Sequence, residues 1–261
     1  MSTWRPLAKD GADRGFLRDQ AVTRHLALAL MMVAAGCASA HTTAAAPTKE
    51  DPLRTDWANL ARFRDANERL PPPMKNEKRV VFMGNSITEN WQQYFAAMFP
   101  GKPYINRGIS GQTTPQMLVR FRSDVIALEP AVVVILAGTN DIAGNTGPST
   151  LEMIEDNIAS MAELARANGI KVVLSSVLPV HDYPWKPGLE PAPKIIALNR
   201  WLREYAARHG AIYVDFHSAM ADTEGGMRGG LSSDGVHPNE AGYRIMTPLV
   251  EQAIEQALRA Q

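Results

Sequence analysis

The sequence predicts an α/β fold, a three-layer α/β/α sandwich with about five parallel strands. Two observations predict it. The runs AVVVILAG at 131–138 and KVVLSSV at 171–177 are rich in consecutive apolar residues, as is typical of parallel strands covered by helices on both faces. Apolar runs and helical stretches also alternate along the chain, which is the order of repeated βαβ units.

The predicted elements follow one another without an internal repeat. Strands are expected near 79–84, 103–106, 131–137, 171–177 and 211–216, and helices near 88–98, 114–128, 149–168, 194–209 and 239–260. We therefore expect one domain over 79–261. Ligands of open parallel sheets bind beyond the carboxyl ends of the strands, so the residues that follow each strand are the candidates for chemistry.

The first 40 residues are predicted to be an export leader. A basic stretch precedes the apolar run Leu26 to Gly36, which is too short to span a bilayer but suits a signal sequence. The segment VAAGC resembles a bacterial lipobox, in which Cys37 would be lipidated, whereas the residues 38–40 offer ordinary cleavage. A buried apolar helix is the third reading. We predict an exported bacterial protein, either periplasmic or anchored to a membrane as a lipoprotein.

Residues 41–78 are predicted to form a tether and an N-terminal helix. The segment HTTAAAPTKEDP is small, polar and proline-bearing, which is typical of a linker. Apolar residues then recur at helical spacing, and three consecutive prolines at 71–73 end that helix. The recurring residues are Leu53, Trp57, Leu60 and Phe63.

Composition excludes several function classes. The 261 residues are 45% hydrophobic and can bury one ample core, and 27 Lys and Arg residues balance 27 Asp and Glu residues. There is no basic field to attract nucleic acid. A single cysteine allows neither a disulfide framework nor a thiolate zinc site. His181, His209 and His217 are scattered along the chain and form no second cluster with carboxylates that would suggest a metal site. We expect no metal and no organic cofactor.

Three of the predicted strand ends carry small polar or glycine-rich motifs. GNSIT follows the first strand and presents Ser86, although Ser86 or Thr88 could simply cap the next helix. GISGQT follows the second strand, where Gly111 could turn a backbone N–H into the crevice. GTND follows the third and places Asn140, an amide donor, at the same rim, although this pair could also cap a helix.

A fourth motif, DGVHPN, lies just before the last predicted helix. Asp234 precedes His237 by three residues, a spacing that lets the carboxylate fold back onto the imidazole Nδ1 and leave Nε2 free to take a proton. Alone, this pair could equally be a capping turn or part of a weak metal site. The four motifs occur in a fixed order at strand ends, which favours a joint site.

Taken together, GNSIT, GISGQT, GTND and DGVHPN resemble the four motif blocks of the SGNH (GDSL-type) hydrolases, from Val80 to the C-terminus. The resemblance implies the flavodoxin-like fold of that family. It also implies Ser86 as nucleophile, His237 as general base and Asp234 as its orienting partner. The Ser86 and Gly111 N–H groups and the Asn140 side chain would form the oxyanion hole. The family usually has Asp where this chain has Asn85, which leaves the bracing of that turn in question.

The predicted substrate is a short-chain ester, with acetyl groups on carbohydrates favoured. The loop HDYPWKPGLEPAP after the fourth strand carries Tyr183 and Trp185, and Trp91 follows Ser86 by five residues, so these three were the candidate substrate contacts. Aromatic faces suit sugar rings, and no apolar insertion offers a groove for a long acyl chain. The alternatives are a lysophospholipid or other long-chain acylhydrolase and a non-catalytic glycan-binding module.

Overall fold

The computed structural model describes residues 56–260, which fold around one parallel sheet. Its five strands are β1 (Val80–Gly84), β2 (Tyr104–Gly108), β3 (Val132–Leu136), β4 (Lys171–Ser175) and β5 (Ile212–Val214). Their order across the sheet is β2-β1-β3-β4-β5, and every neighbouring pair is parallel. The predicted sheet and its five strands are confirmed.

The helices of the described residues precede, separate and follow these strands along the chain. They are α1 (Arg64–Arg69), α2 (Ser86–Trp91), α3 (Phe95–Met98), α4 (Thr114–Asp124), α5 (Thr139–Ile142), α6 (Leu151–Ala167), α7 (Ala192–His209), α8 (Phe216–Met220) and α9 (Glu240–Arg259). The helix predicted near 88–98 is divided into α2, a 3₁₀ turn at Gln92–Tyr94, and α3.

Alternate residues of each strand point into two separate cores. On β1, Val81 and Met83 pack with α4, α6 and α7, whereas Val80 and Phe82 pack with α2, α3 and α9. This division follows from the two-residue period of a strand. Because both faces must be apolar, the strands read as continuous hydrophobic runs, and the result is the predicted three-layer sandwich.

The segment before the first strand differs from the prediction. Instead of one helix from Leu53 to the prolines at 71–73, the described part of this segment is helical only at α1, and turns occupy most of 57–63. The Asp56 carboxylate accepts hydrogen bonds from the N–H groups of Leu60 and Ala61, and Asn59 is left-handed at φ 54°. These local contacts compete with a regular helix.

Part of the predicted 41–78 segment packs on the domain. Ala58 is buried, and its carbonyl and that of Trp57 accept hydrogen bonds from Gln112 and Gln116. The leader 1–40 with Cys37 lies outside the described residues, so export and lipidation stay predictions. Within 56–260, no helix combines the length and apolarity needed to cross a bilayer.

Gly108, at the end of β2, tests how tightly α2 packs on the sheet. A Cβ at Gly108 would lie 2.2 Å from the backbone nitrogen of Glu89, which cannot move without displacing α2. Gly108→Ala should lower the free energy of unfolding by about 3 kcal/mol in denaturant titrations. Gly229→Ala, where a Cβ would meet open space, is the matched control. Equal stability of the two variants would contradict this packing.

Candidate active site

Three side chains form a hydrogen-bonded row at the carboxyl ends of the strands. Ser86 Oγ lies 2.8 Å from His237 Nε2, and His237 Nδ1 lies 2.6 Å from Asp234 Oδ2. Ser86 is the first residue of α2, directly after β1, and His237 lies in the loop before α9. A serine, an imidazole and a carboxylate in this order can activate the serine oxygen as a nucleophile.

The turn that carries Asp234 and His237 folds around the carboxylate. Asp234 Oδ1 accepts hydrogen bonds from the N–H groups of Val236 and His237, while Oδ2 faces the imidazole. Partial burial raises the pKa of Asp234, but the hydrogen bonds from the His237 ring and from these two N–H groups outweigh it and hold the pKa far below its usual range. Asp234 is therefore charged at neutral pH and can stabilise a protonated His237.

Asn85 braces the turn that presents Ser86. Its side-chain oxygen accepts a hydrogen bond from Ile87 N at 3.1 Å, which caps α2, and the residue is buried. An aspartate would make the same bond with a buried charge, which costs desolvation free energy. The neutral amide is therefore a competent substitute in this capping role.

The glycine loop that follows β2 lies next to Asn140, in the segment that follows β3. Gly111 has φ +78°, a left-handed conformation that glycine adopts without strain. Asn140 Nδ2 donates to Gln112 O at 2.9 Å, so the amide lies beside the Gly111 loop with one further N–H to donate. The structure thus brings together two of the predicted oxyanion donors.

Arg120, on α4, holds the glycine loop through buried hydrogen bonds, and this role was not predicted from the sequence. Its fully buried guanidinium donates to Gly84 O, to Arg107 O and to the Gln112 side-chain oxygen, and it is paired with Asp124 at 3.0 Å. Burial lowers the pKa of Arg120 to about 10, against the opposing effect of the Asp124 charge. The signal available in the sequence was a pair of opposite charges, Arg120 and Asp124, spaced four residues apart within an amphipathic helix.

Asp141 makes a second connection to the same loop. It accepts hydrogen bonds from the N–H and the hydroxyl of Thr114, the first residue of α4. Burial raises the pKa of Asp141 to about 6, although the Thr114 hydrogen bonds favour the charged form. Asn140 and the start of α4 are therefore linked through the residue next to Asn140.

Glu89 connects α2 with the residue before Gly111. Its carboxylate accepts hydrogen bonds from both the N–H (2.8 Å) and the hydroxyl of Ser110 and pairs with Arg62 at 3.3 Å. Desolvation raises the pKa of Glu89, but the Ser110 hydrogen bonds and the Arg62 charge bring it below its usual value. Glu89 follows Ser86 by one helical turn, so it couples the serine helix to the glycine loop.

Two of the predicted substrate contacts are wrong. Trp91 is only 1% exposed, and its ring stacks on that of Tyr243 with the ring centroids 5.2 Å apart. Trp91 follows Ser86 by five residues on α2, so its side chain points away from that of Ser86 and into the core. Tyr183 is also buried, and its hydroxyl donates to Thr139 O at 2.9 Å. Both residues support the site from inside the domain.

Trp185 does lie at the site. Its side chain is 45% exposed, and its ring centroid is 6.1 Å from that of His237 and 5.1 Å from that of Tyr183. The neighbouring Lys186 donates to Ala143 O and so fixes the loop to the segment after β3. An exposed indole face beside the imidazole can contact a bound ligand.

Comparison with known proteins identifies the chain's relatives. The model of the GDSL-like Lipase/Acylhydrolase family matches residues 82–245, which is more than half of the chain. The chain belongs to this family. As a GDSL-like hydrolase it is a serine ester hydrolase.

Individual relatives agree with this assignment. The crystal structure of a GDSL-like lipase from Bacteroides thetaiotaomicron is 48% identical, with a TM-score of 0.75 over 77% of this chain and 100% of that one. Esterase TesA of Pseudomonas aeruginosa is 32% identical over 60% of this chain and 73% of its own length. An acetylxylan esterase of Xylanibacter ruminicola is 26% identical over 71% of this chain and 45% of its own length.

Asp234→Asn tests the charge beside His237. The amide keeps the size of the carboxylate but cannot stabilise an imidazolium, so kcat on a small aryl acetate should fall by roughly 10²- to 10⁴-fold. Asp222→Asn is the matched control, because the Asp222 carboxylate also accepts two loop N–H groups but pairs with no histidine. Wild-type turnover in Asp234→Asn would mean that another group orients His237.

Glu89 variants test the link to the glycine loop. Glu89→Ala removes the acceptor of both Ser110 hydrogen bonds, so a displaced Gly111 N–H should lower kcat by about tenfold with little change in KM. Glu89→Gln keeps one acceptor oxygen and should recover most of the loss. If alanine and glutamine lower kcat equally, the carboxylate does not position the loop.

Proposed function

We propose that this GDSL-like hydrolase cleaves short-chain carboxylic esters through an acyl-enzyme on Ser86. The observation that carries the proposal is the row from Ser86 Oγ through His237 to Asp234, at 2.8 and 2.6 Å. In this row His237 is the general base and Asp234 holds the ring with Nε2 facing the serine.

The reaction has two halves. Ser86 Oγ attacks the ester carbonyl carbon while its proton passes to His237 Nε2, and the carbonyl oxygen becomes an oxyanion. The oxyanion accepts hydrogen bonds from the N–H groups of Ser86 and Gly111 and from the Asn140 amide, and each well-placed donor contributes about 3 kcal/mol. The C–O bond then breaks, and His237 returns its proton to the departing alcohol.

Water completes the cycle in the second half. His237 takes a proton from a water molecule as that water attacks the acyl carbon. The bond from the acyl carbon to the Ser86 oxygen then breaks, and this oxygen takes the proton back from Nε2. These steps use only side chains and backbone groups of this chain. Among residues 56–260 no group of three or more His, Cys, Asp or Glu side chains is placed to hold a metal ion.

Ser86→Ala and His237→Ala test the proposal. Because attack and proton transfer act as a unit, each variant should lower kcat by at least ~10³-fold, and the double variant should lose little more. His209→Ala, at the far end of α7, is the matched control and should turn over normally. Substantial activity in Ser86→Ala would remove the serine from the mechanism.

Acetyl groups on saccharides are the proposed natural target. Trp185 offers an exposed aromatic face beside His237, which suits a sugar ring, and one relative is named an acetylxylan esterase. A long acyl chain needs a continuous apolar groove, and no apolar loop insertion borders Ser86 in the described residues. The long-chain acylhydrolase is therefore the second candidate.

Substrate profiling separates these candidates. The kcat/KM for acetyl esters should exceed that for acyl chains of eight or more carbons. Trp185→Ala should lower the kcat/KM for an acetylated saccharide about tenfold relative to a small aryl acetate, mainly through KM. Trp201→Ala, on α7, is the control. Faster hydrolysis of long-chain lysophospholipids than of acetylated sugars would favour the second candidate.

A further inference from the structure

A cavity lies beside the glycine loop, next to Gly111. Its volume is about 300 Å³, and it is lined by three segments, at 56–59, 109–112 and 145–146, together with Gln116 of α4. The lining includes Asp56, Trp57, Asn59, Gly111, Asn145 and Thr146. Because Gly111 is both part of this lining and a proposed oxyanion donor, the cavity borders the site of ester cleavage.

Specific hydrogen bonds hold the cavity walls together. Gln116 donates to Trp57 O at 2.7 Å, which ties the N-terminal turn to α4. Thr113 Oγ1 and Thr146 Oγ1 lie 3.0 Å apart, which joins the glycine loop to the segment after α5. The three lining segments are thus fixed to one another, so the cavity is preformed rather than a gap between independent loops.

The chemistry of the lining favours a neutral, hydroxyl-rich ligand. Trp57 is 39% exposed and supplies an aromatic face, while Asn59 and Asn145 supply amides and Ser110 and Thr146 supply hydroxyls. No Lys or Arg lines the cavity, so it offers no counter-charge to a phosphate or carboxylate. The one charged side chain of the lining, Asp56, already accepts hydrogen bonds from the N–H groups of Leu60 and Ala61, and the remaining polar groups can bond the hydroxyls of a sugar. A sugar ring matches this combination.

Trp57 lines the cavity beside Gly111, whereas Trp185 lies beside His237 and is not part of that lining. The glycine loop follows β2, Ser86 follows β1, and the Trp185 loop follows β4, in a sheet ordered β2-β1-β3-β4-β5. Neighbouring strands are about 4.8 Å apart, so β2 and β4 are separated by roughly 14 Å. Because the strands that precede these two loops are this far apart, we expect a ligand that contacts both tryptophans to be longer than a single sugar ring.

We propose that the Trp57 cavity is a second saccharide subsite, which binds one sugar ring of an acetylated oligosaccharide while another ring contacts Trp185. This inference rests on the proposed esterase function of Ser86. It makes the substrate an oligosaccharide rather than an acetylated monosaccharide, because only a chain of sugars reaches from one tryptophan to the other.

The test compares acetylated xylose with acetylated xylooligosaccharides of two to four units. In the wild type, kcat/KM should rise with length. Trp57→Ala should reduce the ratio of kcat/KM for the tetramer to that for the monomer about tenfold, through KM, and Trp57→Phe should restore part of it. Trp201→Ala should leave the ratio unchanged. A wild-type rate independent of length, or a ratio that Trp57→Ala does not alter, would overturn the subsite.

Two further measurements separate this inference from the function beneath it. Deacetylated xylotetraose should bind Ser86→Ala in calorimetric titrations and bind the Ser86→Ala/Trp57→Ala variant at least about fivefold more weakly. Equal binding by both would overturn the subsite, whereas a wild type inactive on every ester would overturn the esterase proposal. If Trp57→Ala instead accelerates longer acyl esters, the cavity is an acyl pocket and the saccharide subsite is wrong.

Discussion

The hydrogen bond between Ser86 and His237 joins residues that are 151 positions apart in the chain, so its length depends on how the whole domain is packed. Ser86 is placed by β1 and His237 by the turn before α9, so these two elements must hold a fixed relation. The Tyr243 hydroxyl of α9 donates to Ile87 O of α2 at 2.7 Å, and its ring stacks on Trp91. The buried contacts between α2 and α9 therefore set the distance between nucleophile and base.

A second set of contacts sets the position of the glycine loop. Buried Arg120 donates hydrogen bonds to carbonyl oxygens at the ends of β1 and β2 and to the Gln112 side chain. The Glu89 carboxylate accepts a hydrogen bond from the Ser110 N–H. A buried guanidinium loses hydration, and it is retained at low cost only when its donors are satisfied, as they are here by an ion pair and carbonyl oxygens. The proposed oxyanion donors of this loop are therefore held in place, so they need not reorganise as negative charge develops.

Much of the fold and site could be predicted from the sequence, because the informative residues are adjacent to strong local signals. GNSIT, GISGQT and GTND follow apolar runs, and parallel strands bring their carboxyl ends to one rim, so Ser86 and Asn140 could be placed there without coordinates. His237 was added to them through its spacing from Asp234 and the order of the four motifs. Trp91 and Tyr183 were misassigned because sequence proximity to the rim does not give side-chain direction. Glu89 and Arg120 were missed because, apart from the Arg120–Asp124 pair, their partners come from other segments that only tertiary packing brings together.

The most direct test of the central claim is covalent labelling with a fluorophosphonate, which reacts with activated serines, followed by mass spectrometry of the peptides. Our account predicts one phosphonyl adduct on Ser86, loss of esterase activity in proportion to labelling, and much slower labelling in His237→Ala because the base is absent. Complete inactivation with the adduct on another residue, or full activity with Ser86 labelled, would contradict the assignment of Ser86 as the nucleophile.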